Sequence, residues 1–331
     1  MVNFALFGCG RIGKVHAMTL APLKGANLVA VNDYFEQAAL DLAAEYGARA
    51  ASVADILADE TVHAVIIATP TDTHFDLIRA SIAAGKAIFC EKPVDMSADN
   101  IRTLKSEVEA ARIPFMTAFN RRFDPNFALV ADRIQRGEIG EVEMVTILSR
   151  DPSPPPVSYI KSSGGIFRDM MIHDLDMARF LLGEEPVEIY ATGSALVDPA
   201  IGDAGDVDTA VAVLKTASGK VCQISNSRRA TYGYDQRVEV HGAKGMLRAD
   251  NHLENTVEIA TAQGFGRAVA QNFFLERYAE AYRQEVLHFV DALSNGEAPS
   301  PGINDGLAAQ KLADAATLSL ETGQPQRIVP E

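Results

Sequence analysis

The chain has 331 residues, 47% of them hydrophobic and 22% charged, with a formal net charge of −14 at pH 7. That length predicts roughly two domains with a self-sufficient core, and the composition excludes a disordered chain. The negative charge excludes nucleic acid or an anionic lipid surface as the main partner, although it leaves room for a local cationic pocket around a phosphate-bearing cofactor. Cys9, Cys90 and Cys222 lie far apart and form no CxxC pair. They read as free thiols of a reducing compartment, without structural zinc. The sequence enters an apolar run directly after Met1, with no charged leader, and no run of about 18 apolar residues occurs. The expectation is a cytoplasmic protein that does not span a membrane.

In chain order, the first third alternates short apolar runs with helical patterns. Residues 4–7, 28–32, 64–68, 87–90 and 115–119 read as buried parallel strands. Between them, residues 12–20, 36–46, 73–84 and 100–111 carry apolar side chains at helical spacing, with Gly47 and Gly85 at C-cap positions. This alternation predicts an α/β Rossmann domain, a doubly wound parallel sheet, over residues 1–120. Beyond Asn120 the pattern changes. Helices are expected at 126–136 and 166–182, the second ended by Gly183. Strands are expected at 141–148, 187–195, 209–216, 220–227, 237–241 and 246–249. Residues 217–219 and 242–245 supply hairpin turns. Helices at 278–294 and 305–322 close the chain. The reading is a C-terminal α+β domain over 121–331 with a mostly antiparallel sheet, its last helix packing back on the first domain. The PSPPP stretch at 152–156 reads as a stiff loop.

Gly8-Cys9-Gly10-Arg11-Ile12-Gly13 follows the first strand and opens the first helix. The first glycine permits a tight turn, the second lets backbone approach a pyrophosphate, and the third lets helix and strand pack closely. Asp33 ends the next strand, where a carboxylate accepts from both ribose hydroxyls and repels a 2′-phosphate, so NAD is favoured over NADP. The alternative is a glycine turn with Asp33 as a strand-end cap. Glu91-Lys92-Pro93 follows the fourth strand at the carboxyl edge, where open α/β sheets bind ligands. Lys92 can reach a substrate hydroxyl there, or it is a solvated loop lysine. Asp169, His173 and Asp176 fall at i, i+4 and i+7 of one helical pattern and share a face. Oxidation of a secondary alcohol needs a base for the hydroxyl proton, a task suited to histidine, and Asp169 can orient the ring. A surface Asp–His pair and a divalent-cation site are the alternatives; no third ligand is spaced to complete the latter, so no metal is expected. Arg121 and Arg122 stand where the parallel sheet ends and can serve cofactor or substrate, or cap the junction. Tyr232-Gly233-Tyr234 is ambiguous on its own.

Taken in order, GCGRIG, ATPTDTH, FCEKP, NRRFD, GGIFRDMMIHDLDMARFLLG and YGYD span nearly the whole chain. Together they resemble the glucose–fructose oxidoreductase/inositol dehydrogenase/rhizopine catabolism family. The helix containing RDMMIHDLDMARFLLG and the YGYD segment are most similar to its inositol-oxidising members. The resemblance implies NAD-dependent oxidation of myo-inositol to its 2-keto product, the first step of inositol breakdown. The alternatives are a dehydrogenase of scyllo-inositol or of an aldose, and a non-catalytic NAD-binding sensor. It implies a Rossmann domain followed by an α+β domain whose open sheet forms a homotetramer. Lys92, Asp169 and His173 would be the catalytic group, with His173 as base. Arg121, Asp176, Tyr234 and Tyr282 would line the polyol pocket, together with the catalytic three. Thr69, Pro70, His74, Glu91, Lys92 and Arg122 would line the cofactor groove, with Gly8, Gly10, Arg11, Ile12, Gly13 and Asp33. The Lys92–Pro93 peptide is expected to be cis. Asn120, Ser149 and the 152–156 loop are departures from the pattern of some relatives near the substrate.

Overall fold

Short runs such as Val2–Phe7 and Ala64–Ile67 have no polar face, so they are stable only with helices on both sides. The computed structural model of the protein, which describes residues 1–329, meets that demand in the first of two units. This unit comprises Met1–Phe123 and Glu280–Gln310. Its elements are β1 (Val2–Phe7), α1 (Arg11–Leu20), β2 (Ala26–Asn32), α2 (Glu36–Tyr46), β3 (Arg49–Ala50), α3 (Val53–Ala58), β4 (Ala64–Ile67), α4 (His74–Ala83), β5 (Ala87–Cys90), α5 (Ala98–Ala111) and β6 (Phe115–Thr117). The sheet order is β3-β2-β1-β4-β5-β6, and every pairing is parallel.

Alternate residues of each strand enter opposite cores. Phe4, Leu6, Ile66 and Phe89 meet Ala17 and Leu20 of α1, Leu42 of α2, and Val286, Phe289 and Val290. Phe7, Val65, Ile67 and Ile88 meet Ile78 of α4, Ile101 and Leu104 of α5, and Ile303 and Leu307. Each such side chain contributes about 1.5–3 kcal/mol by leaving water. Residues after 280 thus complete both faces of a sheet built from the first 117. Local chemistry sets the helix ends: the hydroxyls of Ser52 and Ser97 accept from Asp55 N and Asn100 N, and Gly47 ends α2 at φ 67°.

The second unit comprises Asp124–Ala279 and the residues from Lys311 on. In chain order the elements are α6 (Pro125–Gln135), β7 (Val142–Arg150), α7 (Val157–Ser163), α8 (Gly165–Asp169), α9 (Met171–Leu182), β8 (Pro186–Ser194), α10 (Pro199–Asp203), β9 (Thr209–Thr216), β10 (Val221–Ser227), β11 (Asp235–Gly242), β12 (Gly245–Ala249), β13 (Glu258–Thr261), β14 (Gly264–Arg267) and α11 (Phe274–Arg277). The chain then runs through α12 (Ala279–Asn295), α13 (Ile303–Thr322) and β15 (Gln326–Arg327). The large sheet has the order β12-β11-β7-β10-β9-β8-β15, and only the β7–β10 pairing is parallel. Its inner face is apolar, with Val145, Ile147, Ile189, Ala212, Leu214, Ile224 and Val240 all buried. On the outer face Met144, Tyr190, Val211, Val213 and Met246 are exposed.

Several expectations need correction. The single helix expected over 166–182 is two, α8 and α9, separated at Met170, whose φ of −101° departs from regular helix. Apolar spacing continues through the break, which is why periodicity misses it. The short elements β3, α3, α7 and α10 and the β13–β14 hairpin were not expected. Both strands of that hairpin are almost wholly exposed and carry no buried period to read. Among the described residues, no helix is long and apolar enough to cross a membrane.

Candidate active site

The turn after β1 is shaped by backbone crowding. A Cβ on Gly13 would lie 1.9 Å from Gly8 O, and one on Gly8 would lie 2.5 Å from Ala68 O. Gly8 also sits at φ 95°. A Cβ on Gly10 would meet nothing within 4 Å, so open space faces the middle glycine at the start of α1. Helix N-terminal N–H groups and an unobstructed glycine are what a pyrophosphate requires. Asp33, directly after β2, accepts from Cys9 N at 2.6 Å and from Phe35 N at 2.8 Å. Two of about four carboxylate lone-pair directions are thereby used, and the rest suit ribose hydroxyls. Arg11 and Ile12 form the first turn of α1.

Thr69 and Pro70 follow β4, and Glu91, Lys92 and Pro93 follow β5, with a cis Lys92–Pro93 peptide. His74, the first residue of α4, is 1% exposed and joins these loops. Its Nδ1 lies 3.0 Å from Pro93 O and its Nε2 3.0 Å from Thr69 O. Burial lowers its pKa, against the carbonyl contacts that raise it. A neutral ring donates through only one of these nitrogens. His74 therefore braces the groove from behind. Glu91 is held from the other side by His16 of α1, with Nε2 and Oε1 2.8 Å apart. The His16 ring stands edge-on to Phe89 and to Tyr282 of α12, at 5.2 and 6.0 Å. Arg121 is buried in the turn Asn120–Phe123, and Arg122 donates to Asp305 Oδ1 at 2.8 Å.

The remaining candidates belong to the second unit. Asp169 is the last residue of α8, and His173 lies in the first turn of α9. Arg228, just past β10, is 1% exposed and donates through Nη1 and Nη2 to Asp169 Oδ2, each at 3.1 Å. Tyr159 of α7 donates its hydroxyl to Asp169 Oδ1 at 2.8 Å. Asp174 Oδ2 accepts from Asn226 at 2.8 Å, tying α9 to β10. Asp176 is buried and pairs with Arg179 at 3.2 Å. Tyr234 stands edge-on to Tyr278, whose hydroxyl donates to Gln236 Oε1 at 3.0 Å. Gln236 Nε2 in turn donates to the buried Ser149 Oγ at 2.9 Å. Sequence reading missed Arg228, Tyr159, Asn226 and Gln236. The one trace of them was an Arg228-Arg229 doublet at a strand end in an acidic chain.

Residues 2–119 match the model of an oxidoreductase family with an NAD-binding Rossmann fold, and residues 131–328 match that family's C-terminal alpha/beta domain. The chain belongs to this family. It is an NAD-binding oxidoreductase. It is 56% identical to the inositol 2-dehydrogenase of Rhizobium meliloti (strain 1021) over 319 residues, 96% of this chain and 97% of that one. The myo-inositol dehydrogenase structure from Corynebacterium glutamicum ATCC 13032 is 41% identical and superposes with a TM-score of 0.95, covering 100% of both chains. The scyllo-inositol dehydrogenase of Lactobacillus casei, solved with NAD(H) and scyllo-inositol, is 28% identical with a TM-score of 0.92, covering 99% of each.

One buried group in the first unit is unlike the rest. Glu285 of α12 is 0% exposed, and neither of its carboxyl oxygens has a hydrogen-bond partner. Burial pushes its pKa well above the ordinary 4.5, and the nearby Glu91 charge pushes the same way. The unfolded chain loses this proton above the ordinary value while the folded protein keeps it, so rising pH drains stability until the raised pKa is reached. Glu285→Gln has no proton to lose. Its thermal midpoint, relative to the unmodified protein, should rise as the pH is raised above about 5. A pH-independent difference would mean that Glu285 is ionised in the fold.

Proposed function

We propose that the protein oxidises myo-inositol at C2 to 2-keto-myo-inositol with reduction of NAD⁺. NAD⁺, when bound, supplies the hydride acceptor. Gly8, Gly10, Arg11, Ile12 and Gly13 would receive its pyrophosphate and Asp33 its adenosine ribose. Thr69, Pro70, Glu91, Lys92 and Arg122 would line the groove, and His74 would support it. His173 takes the hydroxyl proton, Asp169 orients His173, and Lys92 donates to the reacting oxygen as negative charge develops there. Arg121, Asp176, Tyr234 and Tyr282 contact the other ring hydroxyls. The observation that carries this reading is that Asp169 and His173, four residues apart in the chain, flank the α8–α9 junction of an NAD-binding oxidoreductase. A polyol has no charge to grip, and a mixed set of donors and acceptors suits it. The higher identity to the Corynebacterium myo-inositol dehydrogenase, 41%, than to the scyllo-inositol enzyme, 28%, favours the myo isomer. Three buried free thiols favour a cytoplasmic setting.

His173→Ala should lower turnover of myo-inositol by about 10²–10⁴-fold, the usual scale of losing a general base. Calorimetric NAD affinity should stay within about threefold, because the adenosine and pyrophosphate contacts proposed above do not involve His173. Retention of most of the turnover would remove His173 from the role of base.

The outer face of the large sheet supports a homotetramer. Val213 stands opposite Tyr190 on one side and Gln223 on the other, and Val211 opposite Thr192 and Ser225. Tyr190, Val211, Val213, Met144 and Met246 are exposed on this sheet face, interleaved with polar residues such as Gln223 and His241, and large apolar side chains exposed on a sheet mark a surface that a second copy covers. Sedimentation of the unmodified protein should give four chains per particle, and the double variant Val211→Glu, Val213→Glu should give fewer. A monomeric unmodified protein would overturn this assembly.

A further inference from the structure

We propose that Arg228 is a positioning residue for the reaction: with Tyr159 it occupies the oxygens of Asp169, so that this carboxylate orients His173 and does not itself take the proton. The inference rests on the roles of Asp169 and His173 proposed above. Both guanidinium N–H bonds converge on Oδ2 at 3.1 Å, and the Tyr159 hydroxyl lies 2.8 Å from Oδ1. A carboxylate offers about four lone-pair directions, and Arg228 and Tyr159 fill three of them, two on Oδ2 and one on Oδ1. An oxygen already receiving two charge-assisted hydrogen bonds is held rigidly, with its lone pairs directed at those donors.

Arg228 is itself fixed. Its backbone N donates to Asp208 O at 2.8 Å, and its Nη2 is 3.9 Å from Asp206 Oδ2. Asp206 Oδ1 accepts from Ile166 N at 3.1 Å, in the first turn of α8, the helix that ends at Asp169. A Cβ on Gly165 would lie 3.0 Å from the same oxygen, so glycine is what lets Asp206 approach. One buried guanidinium therefore spans the acid that caps the start of α8 and the acid that ends it. A buried arginine tolerates this position only with such anionic partners, and the carboxylates are oriented in return. Lysine, a point charge without the planar fork, reproduces the charge but not two converging bonds.

The test uses the full-length protein with NAD⁺ and myo-inositol, and compares Arg228→Met, Arg228→Lys, Tyr159→Phe, Asp169→Asn and the double variant Asp169→Asn, Arg228→Met. Arg228→Met should lower kcat by about 10–100-fold, the scale seen when a partner that orients a reacting group is lost. KM for myo-inositol should change less than about threefold, and the deuterium isotope effect with C2-deuterated myo-inositol should increase. Arg228→Lys should recover part of kcat. The double variant should be no slower than Asp169→Asn alone, because both changes break one unit. If Arg228→Met does not fold, Arg228→Lys and Tyr159→Phe carry the comparison, each with reduced kcat at near-normal KM. An unchanged kcat in the Arg228 variants beside a slow Asp169→Asn, or a rise in KM alone, would overturn the proposal. A fast Asp169→Asn would instead overturn the reading on which it rests.

Discussion

Parallel pairing is the constraint from which the first unit follows. Strands that all run the same way can be joined only by crossovers, and each crossover brings a helix that covers one sheet face. All carboxyl ends then lie on one edge. The residues after β1, β2, β4 and β5, distant in sequence, become neighbours in space. Backbone bonds carry the ladder past the strands: Gly8 N donates to Asn32 O, Ala68 N to Phe7 O, Glu91 N to Ile67 O and Ala118 N to Cys90 O, at 2.8–2.9 Å. Each functional loop is therefore anchored before its first side chain is considered. The glycine turn depends on the same frame, since the crowding of Gly8 against Ala68 exists only when β1 lies beside β4.

In both units, buried polar groups sort by whether a partner is at hand. Lys86 Nζ donates to Asp59 O and Val62 O, at 2.7 and 2.9 Å. Arg277 pairs with Asp124 where both are 1% exposed. Burial pushes Asp235 upward in pKa, but hydrogen bonds from Arg237, Tyr232 and Asn251 outweigh it and hold the carboxyl low. Glu285 has no such donors, so only its neutral form suits the site. The same physics keeps one acid charged and another protonated.

Local sterics and periodicity made much of this legible in the sequence. Gly8 and Gly13 announce a turn because no other residue fits their contacts, and Asp33 is placed by the length of one crossover. Except for the two-residue β3 and β15, the strands of both sheets were readable from apolar runs, with ends shifted by a residue or two. The break at Met170 was not, because a helix interrupted at one residue keeps its apolar spacing. Arg228 and Tyr159 were not either. They approach Asp169 from α7 and from the end of β10, and nothing in a single chain couples those positions.

Charge compensation links the fold to the kind of substrate proposed. A carboxylate substrate needs an uncompensated cation, whereas a neutral polyol penalises any excess charge that it cannot balance. Among the groups assigned to the reaction, Asp169 is balanced by Arg228, Asp176 by Arg179 and Arg122 by Asp305. Each pair lies within one unit, so the balance is built by folding and does not await a ligand. Hydrogen-bonding capacity remains after the charges cancel, because a carboxylate engaged on two or three sides still accepts on another. Recognition then rests on the directions of donors and acceptors around a ring of hydroxyls. Isomers that differ at one carbon are told apart by such directions, since a misplaced hydroxyl leaves a buried partner unpaired at a cost of about 1–3 kcal/mol.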